Sequence, residues 1–214
     1  MRLMVSNYLS TRAILQLSPI IPVVNFSEVQ QAIAVVEAIQ ASGVKIIELT
    51  LRHKNSLPIL QELTTRFTDM HIGVGTVMQP QQLEQVQAAG AQFAFSPAVN
   101  VTLLQEATRL GFPFIPAVTT FSEVLLAVEH GYSALKFFPA VLSGGVPLLK
   151  AWQSLQADVV FCPTGGVNAS NYLDFLQLPS VACVGGSWLT ARPDSNYQQI
   201  TDDFRAAVAA VNQA

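Results

Sequence analysis

The sequence predicts an α/β protein folded as a single (β/α)8 TIM barrel domain spanning residues 1–214. Three observations predict it. Eight short runs rich in β-branched and aromatic residues recur at intervals of 21 to 27 residues, the length of one strand, one helix and two short loops. Helix-like segments with start and stop signals lie between them. Several of the runs are apolar throughout, as strands of a parallel sheet covered by helices are. A doubly wound open sheet is the structural alternative, and eight evenly spaced units favour closure.

Residues 1–17 read as a helical extension ahead of the first strand. The strands then follow as PIIPVV (19–24), VKIIELT (44–50), HIGVGTV (71–77), QFAFSP (92–97), PFIPAV (113–118), ALKFFPA (134–140), DVVFCPTGG (158–166) and VACVGGS (181–187). Between the first two, SEVQQAIAVVEAIQASG (27–43) carries Ser27 as N-cap, a capping-box Gln and a glycine stop. PQQLEQVQAAG (80–90) opens on Pro and closes on Gly. FSEVLLAVEHG (121–131) and the segment Val101 to Gly111 follow the same grammar. No Pro/Gly/Ser-rich linker or block of charge divides the chain.

Composition excludes several functions. Half of the residues are apolar, 12% are charged and the formal charge is −3, so a large core is expected and a basic nucleic-acid-binding surface is not. No apolar run reaches the roughly 18 residues that a membrane-spanning helix needs. The first residues lack the apolar stretch of a secretory signal. Two cysteines, Cys162 and Cys183, cannot form a disulfide framework. The expectation is a reduced, cytoplasmic protein with no nucleic-acid or membrane partner.

Barrels of this type carry their chemistry at the carboxyl ends of the strands. Lys136 is the sharpest signal there, because it lies inside an apolar strand run, whereas Lys45 stands near the start of its strand, on the face opposite Glu48. If Leu135 and Phe137 face the helices, Lys136 faces inward with Ala134 and Phe138. Burial and a nearby cation favour the uncharged amine, which can attack a carbonyl. A lysine paired with a buried acid for structure alone is the competing reading. Glu48 lies on the second strand and shares a face with Thr50 and Arg52. The acid can move protons, and the guanidinium can hold a carboxylate through two parallel hydrogen bonds. A structural ion-pair network filling the interior is the alternative. TGG (164–166) and GGS (185–187) end the last two strands, where backbone N–H groups often hold a phosphate. SGG (143–145) is a third wall or a simple loop. Cys162 and Cys183 read as small core residues. His53, His71 and His130 show no metal-ligand spacing, and no metal site is expected.

Taken together, ELTLR (48–52), GVGTV (73–77), FSPAV (95–99), LKFFPA (135–140), FCPTGGV (161–167) and VGGSWL (184–189) resemble the bacterial 2-keto-3-deoxy-6-phosphogluconate (KDPG) and 4-hydroxy-2-oxoglutarate (KHG) aldolases, in order and at matching spacings over roughly residues 15–190. The resemblance implies a class I aldolase without cofactor or metal, usually a homotrimer, acting on a 2-keto acid and a phosphorylated aldehyde. It makes Lys136 the Schiff-base lysine and Glu48 the general acid/base. It places Arg52 and Thr76 on the pyruvyl carboxylate, with Pro97 and Phe138 lining that pocket. Thr164, Gly165, Gly166, Gly185, Gly186 and Ser187 match positions around the distal, phosphate end. Two departures are Ala98 and Ala117, where the family commonly has glycine, each adding one methyl near the mouth. Rival substrates and functions are the galactonate epimer, a phosphosugar isomerase, and a non-catalytic phosphosugar-binding barrel.

Overall fold

Strand β1 (Ile20–Val24) opens the sheet, and α1 (Thr11–Leu15) precedes it, capped by the Ser10 hydroxyl, which accepts from Ala13 N–H at 3.2 Å. The computed structural model describes residues 8–155, 158–191 and 196–213. The expected helix over 1–17 is therefore seen only as α1, and residues 1–7 lie outside the described part.

From β1 the chain alternates helix and strand. α2 (Val29–Ala41) leads to β2 (Ile46–Thr50), α3 (Ser56–Arg66) to β3 (His71–Gly75), and α4 (Pro80–Ala88) to β4 (Ala94–Phe95). α5 (Val101–Leu110) leads to β5 (Phe114–Ile115) and β6 (Ala117–Val118), then α6 (Phe121–Glu129) to β7 (Ala134–Phe137). α7 (Gly145–Gln153), β8 (Val160–Pro163), α8 (Tyr172–Leu176), β9 (Val184–Gly186) and α9 (Tyr197–Val211) complete the described elements. The caps follow local chemistry. Pro80 opens α4, Asn100 caps α5 by accepting from Thr102 N–H at 2.9 Å, and α5 stops at Gly111 in the left-handed region (φ 59°). Thr120 and Glu123 form a reciprocal capping box on α6. Ser27 does not cap α2 as expected; Glu28 stands at that position without a side-chain cap.

The closed eight-stranded TIM barrel is not what the described strands form. They make two parallel sheets, one of six strands in the order β5-β4-β3-β2-β1-β9 and one of three in the order β6-β7-β8. Proline marks both seams. The expected fifth strand is cut at Pro116 into β5, which pairs with β4, and β6, which pairs with β7. Pro116 has no N–H to give to a ladder, although its carbonyl accepts from Lys136 N–H at 2.9 Å. At the other seam, β8 and the run leading into β9 touch through the isolated bridges Phe161↔Val181 and Thr164↔Gly185. Pro163 lies between them and again lacks a donor. The α/β alternation and the parallel direction of the strands stand as expected; the continuous ladder does not.

β2 shows why the strands lie where they do. All five of its residues are buried, as in a strand covered on both faces, and it pairs with β1 on one side and β3 on the other, Thr50 opposite Gly75. Phe93, Phe95, Phe114, Phe137 and Phe161 are fully buried, Phe137 and Phe161 against Trp152 of α7 and Phe93 against Phe95, each contributing roughly 1.5–3 kcal/mol of burial. Among the described residues no helix is long and apolar enough to cross a membrane.

Candidate active site

Lys136 and Glu48 meet across the two sheets. Glu48 comes from β2 of the larger sheet and Lys136 from β7 of the smaller, 88 residues apart in sequence. Lys136 Nζ donates to both carboxylate oxygens of Glu48, at 2.8 and 3.0 Å. Both residues are almost fully buried, at 5% and 1% exposure. The two sequence readings of Lys136 therefore coincide: it is paired with a buried acid, and it faces a cleft. The ring of Phe95 lies 4.9 Å from Nζ and that of Phe138 5.6 Å, so the amine is flanked by aromatic faces. Lys45, Lys54 and Lys150 are exposed.

The pair is held by glycine on its far side. Gly75 lies beside Glu48, where a Cβ would overlap the carboxylate and come within 2.7 Å of its Cδ. Thr76 follows with φ 67°, a left-handed conformation rare for a β-branched residue. That strain costs roughly 1–3 kcal/mol, and it turns the chain over the cleft. Beneath the pair lie Cys162, in register with Lys136 on β8, and Cys183. Burial, reinforced by Cys162 and by the Glu48 charge, pushes the Cys183 thiol well up from its ordinary value, so it stays protonated. Both cysteines are free and buried, as expected of core residues.

The site has two compartments. A narrow cleft of about 40 Å³ is lined by Glu48, Thr50, Arg52, Thr76, Pro97, Lys136, Phe138, Thr164 and Val23. It adjoins a cavity of about 480 Å³ whose wall shares Val23, Thr50, Arg52, Phe138 and Thr164 and adds Gly165, Gly166, Gly186 and Ser187. Gly165 and Gly166 have φ of 93° and 80°, and the Gly166 carbonyl accepts from Asn168 and Asn171 at 3.0 and 3.1 Å, which fixes the turn. A Cβ at Gly166 would press on Val141 Cβ at 2.8 Å.

Eleven of the twelve sequence-predicted site residues thus line one compartment or both. Gly185 lines neither; it lies behind Thr164, with which it bridges. The loop at Ser143–Gly145 is no third wall, and Gly144 instead caps α7. Ala117 is fully buried opposite Lys136, while Ala98 is exposed and accepts from the Ser96 hydroxyl at 2.7 Å. Sequence reasoning missed Val23, Asn25 and Gln31, which line the larger cavity. Asn25 directly follows β1, so the rule of strand carboxyl ends, applied to that strand, would have found it. Among the described residues no group of three or more His, Cys, Asp or Glu gathers to hold a metal.

The family model for KDPG and KHG aldolases matches residues 11–202. The chain belongs to the KDPG and KHG aldolase family. This aldolase is 42% identical to the 2-dehydro-3-deoxy-phosphogluconate aldolase of Dickeya dadantii, covering 94% of this chain and 95% of that one. It is 40% identical to the KHG/KDPG aldolase of Escherichia coli, with 93% and 95% covered. Its fold superposes with a TM-score of 0.91, at 40% identity over 94% and 98% of the two chains, on a KDPG aldolase from Legionella pneumophila solved with pyruvate captured at low pH as a covalent carbinolamine. This chain is accordingly a carbon–carbon lyase of the class I aldolase type.

Proposed function

We propose that this aldolase cleaves 2-keto-3-deoxy-6-phosphogluconate to pyruvate and glyceraldehyde 3-phosphate, with Lys136 as the Schiff-base nucleophile, and that it also cleaves 4-hydroxy-2-oxoglutarate to pyruvate and glyoxylate. The observation that carries the proposal is the doubly hydrogen-bonded amine and carboxylate at the floor of a cleft that opens into a larger, glycine-walled cavity.

The chemistry follows from that pairing. A proton moving from Nζ to Glu48 over a 2.8 Å hydrogen bond leaves a neutral amine and a neutral acid, and no charge remains buried. The amine attacks the C2 ketone. Glu48 returns a proton as the carbinolamine loses water, and a protonated imine forms. Deprotonation of the C4 hydroxyl, by Glu48 directly or through a water, then breaks the C3–C4 bond. The electron pair passes into the imine, giving an enamine, and the aldehyde leaves. Protonation of the enamine at its methylene and hydrolysis of the imine release pyruvate. Arg52 and Thr76 hold the pyruvyl carboxylate and so aim C2 at the amine, while Pro97 and Phe138 exclude water around it. Thr164, Gly165, Gly166, Gly186 and Ser187 receive the distal end and its phosphate; Gly185 acts from behind, by letting Thr164 sit close.

The test is a borohydride trap with pyruvate followed by peptide mass mapping. A stable adduct on Lys136 is expected. No adduct on folded, active protein removes the Schiff base. We further propose a single-domain homotrimer in the cytoplasm. Family resemblance supports the trimer and the two free cysteines support a reducing compartment; sedimentation tests the first.

A further inference from the structure

We propose that Asn25 is a specificity-determining residue that reads the hydroxyl group next to the carbonyl of the incoming aldehyde, and that His53 positions it. The inference rests on the aldolase reading above and concerns the wall between its two compartments.

Asn25 follows β1 and lines the larger cavity. Its amide is fixed at both ends. Thr50 Oγ1 donates to Asn25 Oδ1 at 2.9 Å, and Asn25 Nδ2 lies 3.1 Å from His53 Nε2. An amide nitrogen can only donate, so this contact is a hydrogen bond in the His53 tautomer whose Nε2 accepts. Thr50 is the link to the reaction: it is buried and borders both the Lys136 cleft and the larger cavity. The amide therefore shares the larger cavity with the glycine turns and is joined to the Lys136 cleft through Thr50.

What remains of its hydrogen-bonding capacity defines the ligand. An asparagine side chain has two N–H donors and two acceptor lone pairs. Thr50 and His53 use one of each, leaving one donor and one acceptor. A phosphate dianion offers acceptors only and a carboxylate likewise. A hydroxyl both donates and accepts, and so matches the pair. In glyceraldehyde 3-phosphate that hydroxyl is on the carbon next to the aldehyde, between the new bond and the phosphate. Glyoxylate has no such group.

The experiment runs the reaction as an addition to pyruvate, comparing glyceraldehyde 3-phosphate with 3-oxopropyl phosphate, which differs by that one hydroxyl. The quantity read is the ratio of kcat/KM for the two aldehydes. The parent enzyme is expected to favour the hydroxylated aldehyde, and Asn25→Leu to lower that ratio roughly tenfold, the value of about one hydrogen bond at an accessible site. His53→Ala lowers the ratio in the same direction, and His53→Gln, whose amide oxygen can again accept from Asn25, restores part of it. An unchanged ratio in Asn25→Leu overturns the assignment, as does a loss in His53→Ala that His53→Gln leaves uncorrected. A parent enzyme that adds neither aldehyde to pyruvate overturns the aldolase reading and this assignment with it, whereas an active parent with an unchanged variant ratio overturns this assignment alone.

Discussion

Removing one member of the Lys136–Glu48 pair should destabilise the fold far more than removing both. At 2.8 Å and an effective dielectric of about 20, the pair's attraction is roughly 6 kcal/mol. Desolvation of the two ions costs a similar amount, so the intact pair is close to neutral against an apolar replacement. A lone survivor has no such compensation and costs about 3–5 kcal/mol. Glu48→Leu and Lys136→Met should each lower the melting temperature by about 10 °C, since each kcal/mol is worth about 2–4 °C in a chain of this size. The double variant should return to within about 1 kcal/mol of the parent, yet trap no pyruvate. Urea denaturation of the four proteins measures all of it. Single variants each losing under about 1 kcal/mol, or losses that simply add in the double variant, would refute the reasoning.

Gly75→Ala places a methyl where the Glu48 carboxylate lies, within 2.7 Å of Cδ; the pair must separate, and pyruvate trapping should fall at least tenfold in a protein that circular dichroism shows folded. Ser187→Ala should raise KM for the phosphorylated six-carbon substrate more than for 4-hydroxy-2-oxoglutarate, and equal changes would remove Ser187 from the phosphate end. Because burial pushes the Cys183 thiol up, alkylation by iodoacetamide at pH 8 should be slow in the native protein and speed up by orders of magnitude in urea.

Local signals in the chain were enough for the alternation of strands and helices. The Pro start of α4, the Thr120–Glu123 box of α6 and the Gly111 stop of α5 need only neighbouring residues to act. Lys136 was legible for the same reason: a charge inside an apolar strand run is a local contradiction that needs a remote partner. Glu48 was the other half of that contradiction. Closure of the sheet was not legible. Spacing counts units, but whether a ladder continues depends on which N–H meets which carbonyl, and the missing donors of Pro116 and Pro163 matter only once their neighbours are known.

By itself, the sequence determined the chemistry available here: one amine, one acid, a guanidinium and two glycine-rich turns at strand ends, in an order that marks the family. Tertiary structure decided what only long-range packing can. It brought Lys136 to Glu48 across 88 residues and two sheets, put Gly185 behind the wall rather than in it, and set the Thr50–Asn25–His53 chain beside the cleft. A side chain's type is encoded at its own position. Its partner is chosen by the packing of the whole chain.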